Sequence, residues 1–176
     1  MFQSETLKIV PLTSNHANDF HHLIQSNLKT FEGYLPITVV NTKTLKLSVQ
    51  FIAKKLESAR RKREFLFVLK EAQSDELIGF VLLKKIDWTL KQGEFAYGIS
   101  AAASGKGFMS QAISFLSQYA FDHLGIHQLQ IITHKTNLGS VHVAMKSGFS
   151  WVKTLEAEFT NSLGIPMDME LYELSK

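Results

Sequence analysis

The chain has 176 residues, about the length of one domain, with enough material for a core that needs no staples. Hydrophobic residues make up 45% and charged residues 20%, with only 3 Pro and 10 Gly, which excludes collagen-like, disordered and low-complexity classes. Zero cysteines exclude a disulfide framework, a thiolate metal site and a cysteine nucleophile, and a net charge of +3 is too small a surplus for a dedicated nucleic-acid binder.

In chain order, Met1 to Leu12 mixes Glu5 and Lys8 into its apolar residues and so lacks the apolar core of a secretory signal. Leu7 to Leu12 reads as a first strand stopped at Pro11. Thr13-Ser14-Asn15 then offers caps for a helix carrying Phe20, Leu23, Ile24 and Leu28. After the break at Gly33-Tyr34-Leu35-Pro36, Leu45, Val49, Ile52, Ala53 and Leu56 recur at helical spacing up to the run Arg60-Arg61-Lys62-Arg63. Phe65 to Leu69 and Leu77 to Leu83 predict a hairpin, and a turn at Lys91-Gln92-Gly93 leads into a third strand, Glu94 to Ser100. Leu77 to Leu83 is the longest apolar run and falls far short of a roughly 20-residue membrane span, so a cytoplasmic protein is expected.

Met109 to Leu124 has a helical period closed by Gly125, and Leu129 to Thr133 reads as a buried strand. A short helix from Ser140 to Lys146 precedes two final strands, Trp151 to Phe159 and Met167 to Leu174. The order β-α-α-β-β-β-α-β-α-β-β predicts a single α/β (α+β) domain over residues 1–176, with a mixed sheet of about seven strands and four helices.

Two segments carry chemistry. Ser104-Gly105-Lys106-Gly107-Phe108-Met109-Ser110 is a glycine-containing loop between a strand and a helix; its backbone N–H groups and the positive end of the helix suit a phosphate or pyrophosphate. The plain alternative is an ordinary strand-to-helix turn. Ser110 stands where a dinucleotide fingerprint needs its third glycine, and a Walker loop is absent, so nicotinamide and ATP sites drop out. The second segment runs from Asn137 through Ser140 to Gly148-Phe149, after the strand Leu129 to Thr133.

Together the two segments resemble the GNAT superfamily of acyl-CoA-dependent N-acyltransferases, whose motif Gln/Arg-x-x-Gly-x-Gly/Ala is followed by Asn, Ser and Gly-Phe at this spacing. The closer resemblance, over nearly the whole chain, is to its ribosomal-protein (RimJ/RimL-type) branch, where a hydrophobic residue such as Met109 commonly replaces the final Gly/Ala. The resemblance implies the GNAT fold, with a mostly antiparallel central sheet, and acetyl-CoA as co-substrate.

Residue by residue, it implies phosphate binding by backbone N–H groups from Gly105 to Ser110, through Lys106, Gly107, Phe108 and Met109. Ser104 departs from the family's Gln or Arg, which should weaken cofactor affinity without abolishing it, and Lys106 could compensate as a point charge. The resemblance further implies that Ile99 and Ser100, at a splayed strand end, meet the pantetheine arm, with an N–H near Ile99 stabilising the oxyanion. Asn137 matches the residue near the pantetheine, and Ser140 the one that hydrogen-bonds the leaving thiolate; otherwise Asn137 turns the chain and Ser140 caps the short helix.

Glu158 matches the carboxylate that takes the amine proton; Glu156 is its rival, and an exposed strand carboxylate is the plain alternative. Tyr34 and Leu35 match a substrate-side lid. The acceptor implied is an amine, most directly the N-terminal α-amino group of a ribosomal protein; a polyamine, amino acid or antibiotic, or a non-catalytic CoA sensor, stays open. A homodimer is expected by resemblance, while no nucleic acid, membrane or metal is expected: His21-His22 are adjacent, and His123 and His127 straddle Gly125, so neither pair is a helical chelate.

Overall fold

Leu7 and Ile9 are buried while Lys8 and Val10 beside them are half-buried, so the first alternation in the sequence becomes a strand with an inward face. That strand is β2 (Leu7–Pro11) of a computed structural model of the protein, which describes residues 2–161 and 164–176. A two-residue β1 (Phe2–Gln3) pairs antiparallel with it. The chain divides into two compact units, one of Met1–Leu82 and Tyr97–Lys106, the other of Leu83–Ala96 and Gly107–Lys176.

The first unit contains helices α1 (Ala17–Ser26), α2 (Leu28–Phe31), α3 (Pro36–Val40) and α4 (Leu45–Arg60), and strand β3 (Phe65–Glu71), which pairs antiparallel with β2. The expected first helix breaks at Asn27, whose Nδ2 donates to Leu23 O at 2.9 Å while its Oδ1 accepts the Ala101 N–H at 2.8 Å. Leu28 therefore falls in α2. Pro36 occupies the first turn of α3, where its missing N–H costs nothing. Thr44 caps α4 by accepting the Leu47 N–H at 3.2 Å. Phe80 is buried at the centre, its ring 5.1 Å from Phe20 and 6.3 Å from Phe31.

The second unit contains α5 (Phe108–His123), β6 (Gln128–Thr133), α6 (Leu138–Lys146), β7 (Ser150–Thr160) and β8 (Pro166–Ser175). Ala112, Ile113, Leu116 and Ala120 form the buried stripe of α5. The helix closes where the sequence predicts: Gly125 takes φ +69°, and the Ile126 N–H returns to Ala120 O at 3.1 Å. Strands β4 (Leu77–Asp87) and β5 (Gln92–Ile99) run through both units. The predicted second strand of the hairpin ends at Leu83, but β4 continues through Lys84 and Lys85 to Asp87.

The strand order is β1-β2-β3-β4-β5-β6-β8-β7. β5 and β6 are parallel, as the intervening α5 requires, whereas the β6–β8 and β7–β8 ladders are antiparallel. The mixed, mostly antiparallel sheet read from the sequence is thus the one that forms. Beyond the seven strands and four helices expected, the described residues add β1, α2 and α3, pieces of 2, 4 and 5 residues that are too short to show a period.

Gly79 and Gly98 are both sites of close approach in the first unit. A Cβ on Gly79 would stand 2.7 Å from Gly98 O, a backbone atom that cannot swing away. Gly79→Ala is expected to destabilise the protein by about 1–3 kcal/mol in urea unfolding, through overpacking, although a strand ordinarily favours alanine over glycine.

Candidate active site

The loop ahead of α5 is shaped by two left-handed glycines. Ser104 closes a short 3₁₀ turn, Ala101–Ala103, by donating its N–H to Ser100 O at 3.0 Å. Gly105 then takes φ +77°, and the space around its α-carbon is open. Gly107 is the N-cap of α5 at φ +83°, ψ −2°, a conformation that glycine adopts without strain and that supplies no side-chain cap. The first N–H groups of α5, on Phe108, Met109 and Ser110, therefore receive no capping oxygen from Gly107.

Phe108 is half-buried, while Met109 and Ser110 are buried, and Ser110 O accepts from Ser147 Oγ at 3.2 Å. Ser104, Gly105 and Lys106 are exposed. Lys146 at the end of α6, unmarked by the sequence reading, brings its Nζ to 3.9 Å from where a Cβ on Gly107 would sit.

In the first unit, the lid candidates separate. Tyr34 is 51% exposed, whereas Leu35 is half-buried and turns Cδ1 toward Gly98, 3.0 Å from the position of a Cβ there. Leu35 N–H also donates to Phe31 O at 2.7 Å. The Ser100 N–H is spent on Ile78 O at 2.8 Å, and its side chain accepts from the Ala103 N–H at 3.3 Å. Ile99 is half-buried. The parallel ladder of β5 and β6 runs from Gln92↔Gln128 to Phe95↔Ile131, and Ala96 to Ile99 are the residues of β5 that follow its last pair.

In the second unit, α6 begins two residues earlier than predicted. Asn137, not Ser140, is its N-cap: Asn137 Oδ1 accepts the Ser140 N–H at 3.2 Å. Asparagine is a preferred cap, so Ser140 lies within the first turn and its capping role is corrected. Glu158 lies in a bulge of β7, where the register with β8 shifts between Leu155 and Phe159. Ala157 takes φ +53° there, and its N–H donates to Asp168 Oδ1 at 3.0 Å. Glu158 Oε1 stands 3.9 Å from Lys85 Nζ. Both Glu156 and Glu158 are exposed, and it is Glu158 that meets a cation.

Lys85 belongs to a charged cluster. Glu94, with its side chain only 7% exposed, meets Lys84 Nζ at 2.7 Å and Lys85 Nζ at 2.9 Å. The hydrogen bond to Glu94 holds the Lys85 ammonium above its ordinary range against desolvation, and the charges of Glu94 and Glu158 add to the shift. The turn expected at Lys91-Gln92-Gly93 falls instead at residues 88–91, which leaves Lys85 and Glu94 each three residues outside it, a spacing that the sequence reading missed. Among the described residues no group of three His, Asp or Glu side chains could hold a metal, and no helix is long and apolar enough to cross a membrane.

Comparison with known proteins gives the same direction. Residues 6–150 match the family described as "Acetyltransferase (GNAT) domain". The probable N-acetyltransferase YjcK of Bacillus subtilis is 29% identical over 150 residues, 85% of this chain and 83% of that protein. A ribosomal-protein-serine acetyltransferase of Escherichia coli is 27% identical over 161 residues, 90% of this chain and 87% of its own. A spermidine N(1)-acetyltransferase of Escherichia coli is 33% identical over 84 residues, 48% of this chain and 45% of its own. The crystal structure of a ribosomal-protein-S5-alanine acetyltransferase from Vibrio fischeri superposes with a TM-score of 0.91 at 19% identity, covering 99% of this chain and 95% of that one.

The left-handed N-cap makes a direct prediction. In Gly107→Ala the added Cβ meets Lys146 Nζ at an ordinary 3.9 Å, so the penalty is backbone strain alone. A loss of about 1–2 kcal/mol is expected in urea unfolding. Gly33→Ala, where the added Cβ meets nothing within 4 Å, should change stability by less than about 0.5 kcal/mol.

Proposed function

The chain belongs to the GNAT family of acetyltransferases, and from that premise we propose that it acetylates the N-terminal α-amino group of a protein, a ribosomal protein first of all. GNAT enzymes are acyltransferases that use acetyl-CoA, and the observation that carries the cofactor reading here is the uncapped, left-handed start of α5 at Gly107. The amides of that first turn, given no side-chain cap by Gly107, suit the pyrophosphate, and the open space at Gly105 lets an anion approach the backbone. Lys106 and the nearby Lys146 ammonium add positive charge on the same stretch. Residue by residue, Ser104 to Ser110 hold the phosphates, Asn137, Ile99 and Ser100 meet the pantetheine arm, and the exposed Tyr34 faces the acceptor while Leu35, turned toward Gly98, backs it from the core side.

In this reading the amine nitrogen attacks the thioester carbonyl carbon directly. Glu158 receives the amine proton, an N–H near Ile99 stabilises the oxyanion, the C–S bond breaks, and Ser140 hydrogen-bonds the departing thiolate. Holding both reactants in line supplies most of the rate. An α-amino group has a pKa of about 7.7–8.0 against about 10.4 for lysine, so freeing it at pH 7 costs roughly 1 kcal/mol rather than roughly 4–5. That difference suits a site whose base is an exposed carboxylate such as Glu158. The nearly full-length likeness to a ribosomal-protein-serine acetyltransferase supports the same acceptor. The shorter match to a spermidine acetyltransferase favours a small polyamine as the second reading. Both units act as one domain here, since the matched residues run through each, and a cytoplasmic homodimer belongs to the same proposal.

Acetyl-CoA at about 100 times its dissociation constant should stabilise the protein by about 2.7 kcal/mol in thermal unfolding. Thiol release should follow with a peptide bearing a free N-terminal Ser or Ala and be slower with spermidine; the reverse order would replace the first acceptor by the second. Glu158→Gln should lower kcat by about 10²–10⁴ with an unchanged acetyl-CoA stabilisation, and an unchanged rate would remove Glu158 from the base role. Ser140→Ala should lower kcat, whereas an effect confined to acetyl-CoA affinity would deny it the leaving-group role.

A further inference from the structure

Two left-handed residues that are not glycine bring one cation and one carboxylate together in the second unit. Lys85 interrupts β4 at φ +49°, and Ala157 interrupts β7 at φ +53°. In a regular strand Lys84 and Lys85 would point to opposite faces. With Lys85 left-handed, both ammonium groups reach the same carboxylate of Glu94, one on each oxygen, at 2.7 and 2.9 Å. On β7 the bulge is pinned by the Ala157 N–H on Asp168, and Glu158 Oε1 comes to 3.9 Å from Lys85 Nζ.

The charges divide the work. One ammonium suffices to neutralise the buried Glu94, and Lys84 is the nearer and the less exposed, at 32% against 60% for Lys85. Lys85 therefore carries positive charge beyond what Glu94 needs, and Glu158 is its other partner among the described residues. Strained backbone persists only where the surroundings over-determine it. Here each strained residue aims one member of the same pair.

We infer that Lys85, clamped by Glu94, is a positioning residue that holds the Glu158 carboxylate for proton transfer. The inference rests on the reading of Glu158 as the base. Anchored on one side by a short ion pair to a buried carboxylate, the ammonium narrows the rotamers open to Glu158, which is 40% exposed and would otherwise sweep through solvent.

The test is a double-mutant cycle read by thiol release at saturating acetyl-CoA and acceptor peptide. Lys85→Met should lower kcat about two- to fivefold, the scale of an exposed ion pair, and leave acetyl-CoA stabilisation unchanged. Lys85→Arg, which keeps the charge, should restore most of the loss and guards against a folding defect in the methionine variant. In the Glu158→Gln background Lys85→Met should have no further effect. The same fold loss in both backgrounds would overturn the positioning role while leaving Glu158 as the base. Full kcat in Glu158→Gln alone would overturn the base reading, and the inference with it.

Discussion

Helix α5 begins on a residue with no side chain to close it. Gly107 in the left-handed conformation turns the chain into the helix and offers the first amides no side-chain oxygen of its own. Most helices of this length answer that need with Ser, Thr, Asp or Asn, as α4 does with Thr44 and α6 with Asn137. α5 leaves it open at the start of a 16-residue helix, as long as the capped α4. Burial of Met109 and Ser110, the Ser147 hydroxyl on Ser110 O and the stripe from Ala112 to Ala120 hold that end in place, and Gly125 closes the other.

The regular elements were legible because they are long enough to show a period. The apolar stripe of α5, the alternation in β2 and the hairpin runs of β3 and β4 could all be read directly. Short pieces escaped: α2 and α3 have fewer residues than two helical turns, and the interruption between α1 and α2 depends on Asn27 reaching Ala101, a partner 74 residues away. Boundaries were lost where one polar residue outcompeted another. Ser140 and Asn137 are both good caps, and only the fold reveals that Asn137 takes the role.

For the site, residue types and spacing were readable and charges in space were not. The loop glycines and Asn137 announced themselves by pattern, whereas Lys84 and Lys85 looked like the end of a strand. They are instead its continuation, because a buried carboxylate on β5 satisfies them both. An ion cluster of this kind mixes cross-strand pairing with a left-handed residue, and no period in the sequence encodes that combination. Glu158 and Glu156 were likewise inseparable by pattern; the bulge at Ala157 is what gives one of them a cation.

The same bulge bears on how the molecule behaves in a crowd of its own kind. β7 is the last strand in the order, 11 residues long, and almost wholly exposed, with Trp151 and Val152 on show. A straight strand of that length would be an open template for another chain's backbone. The register with β8 shifts twice, between Trp151 and Lys153 and between Leu155 and Phe159, with Lys153 between the two breaks and Glu156 inside the second. An edge interrupted in this way offers another backbone no long regular ladder to extend.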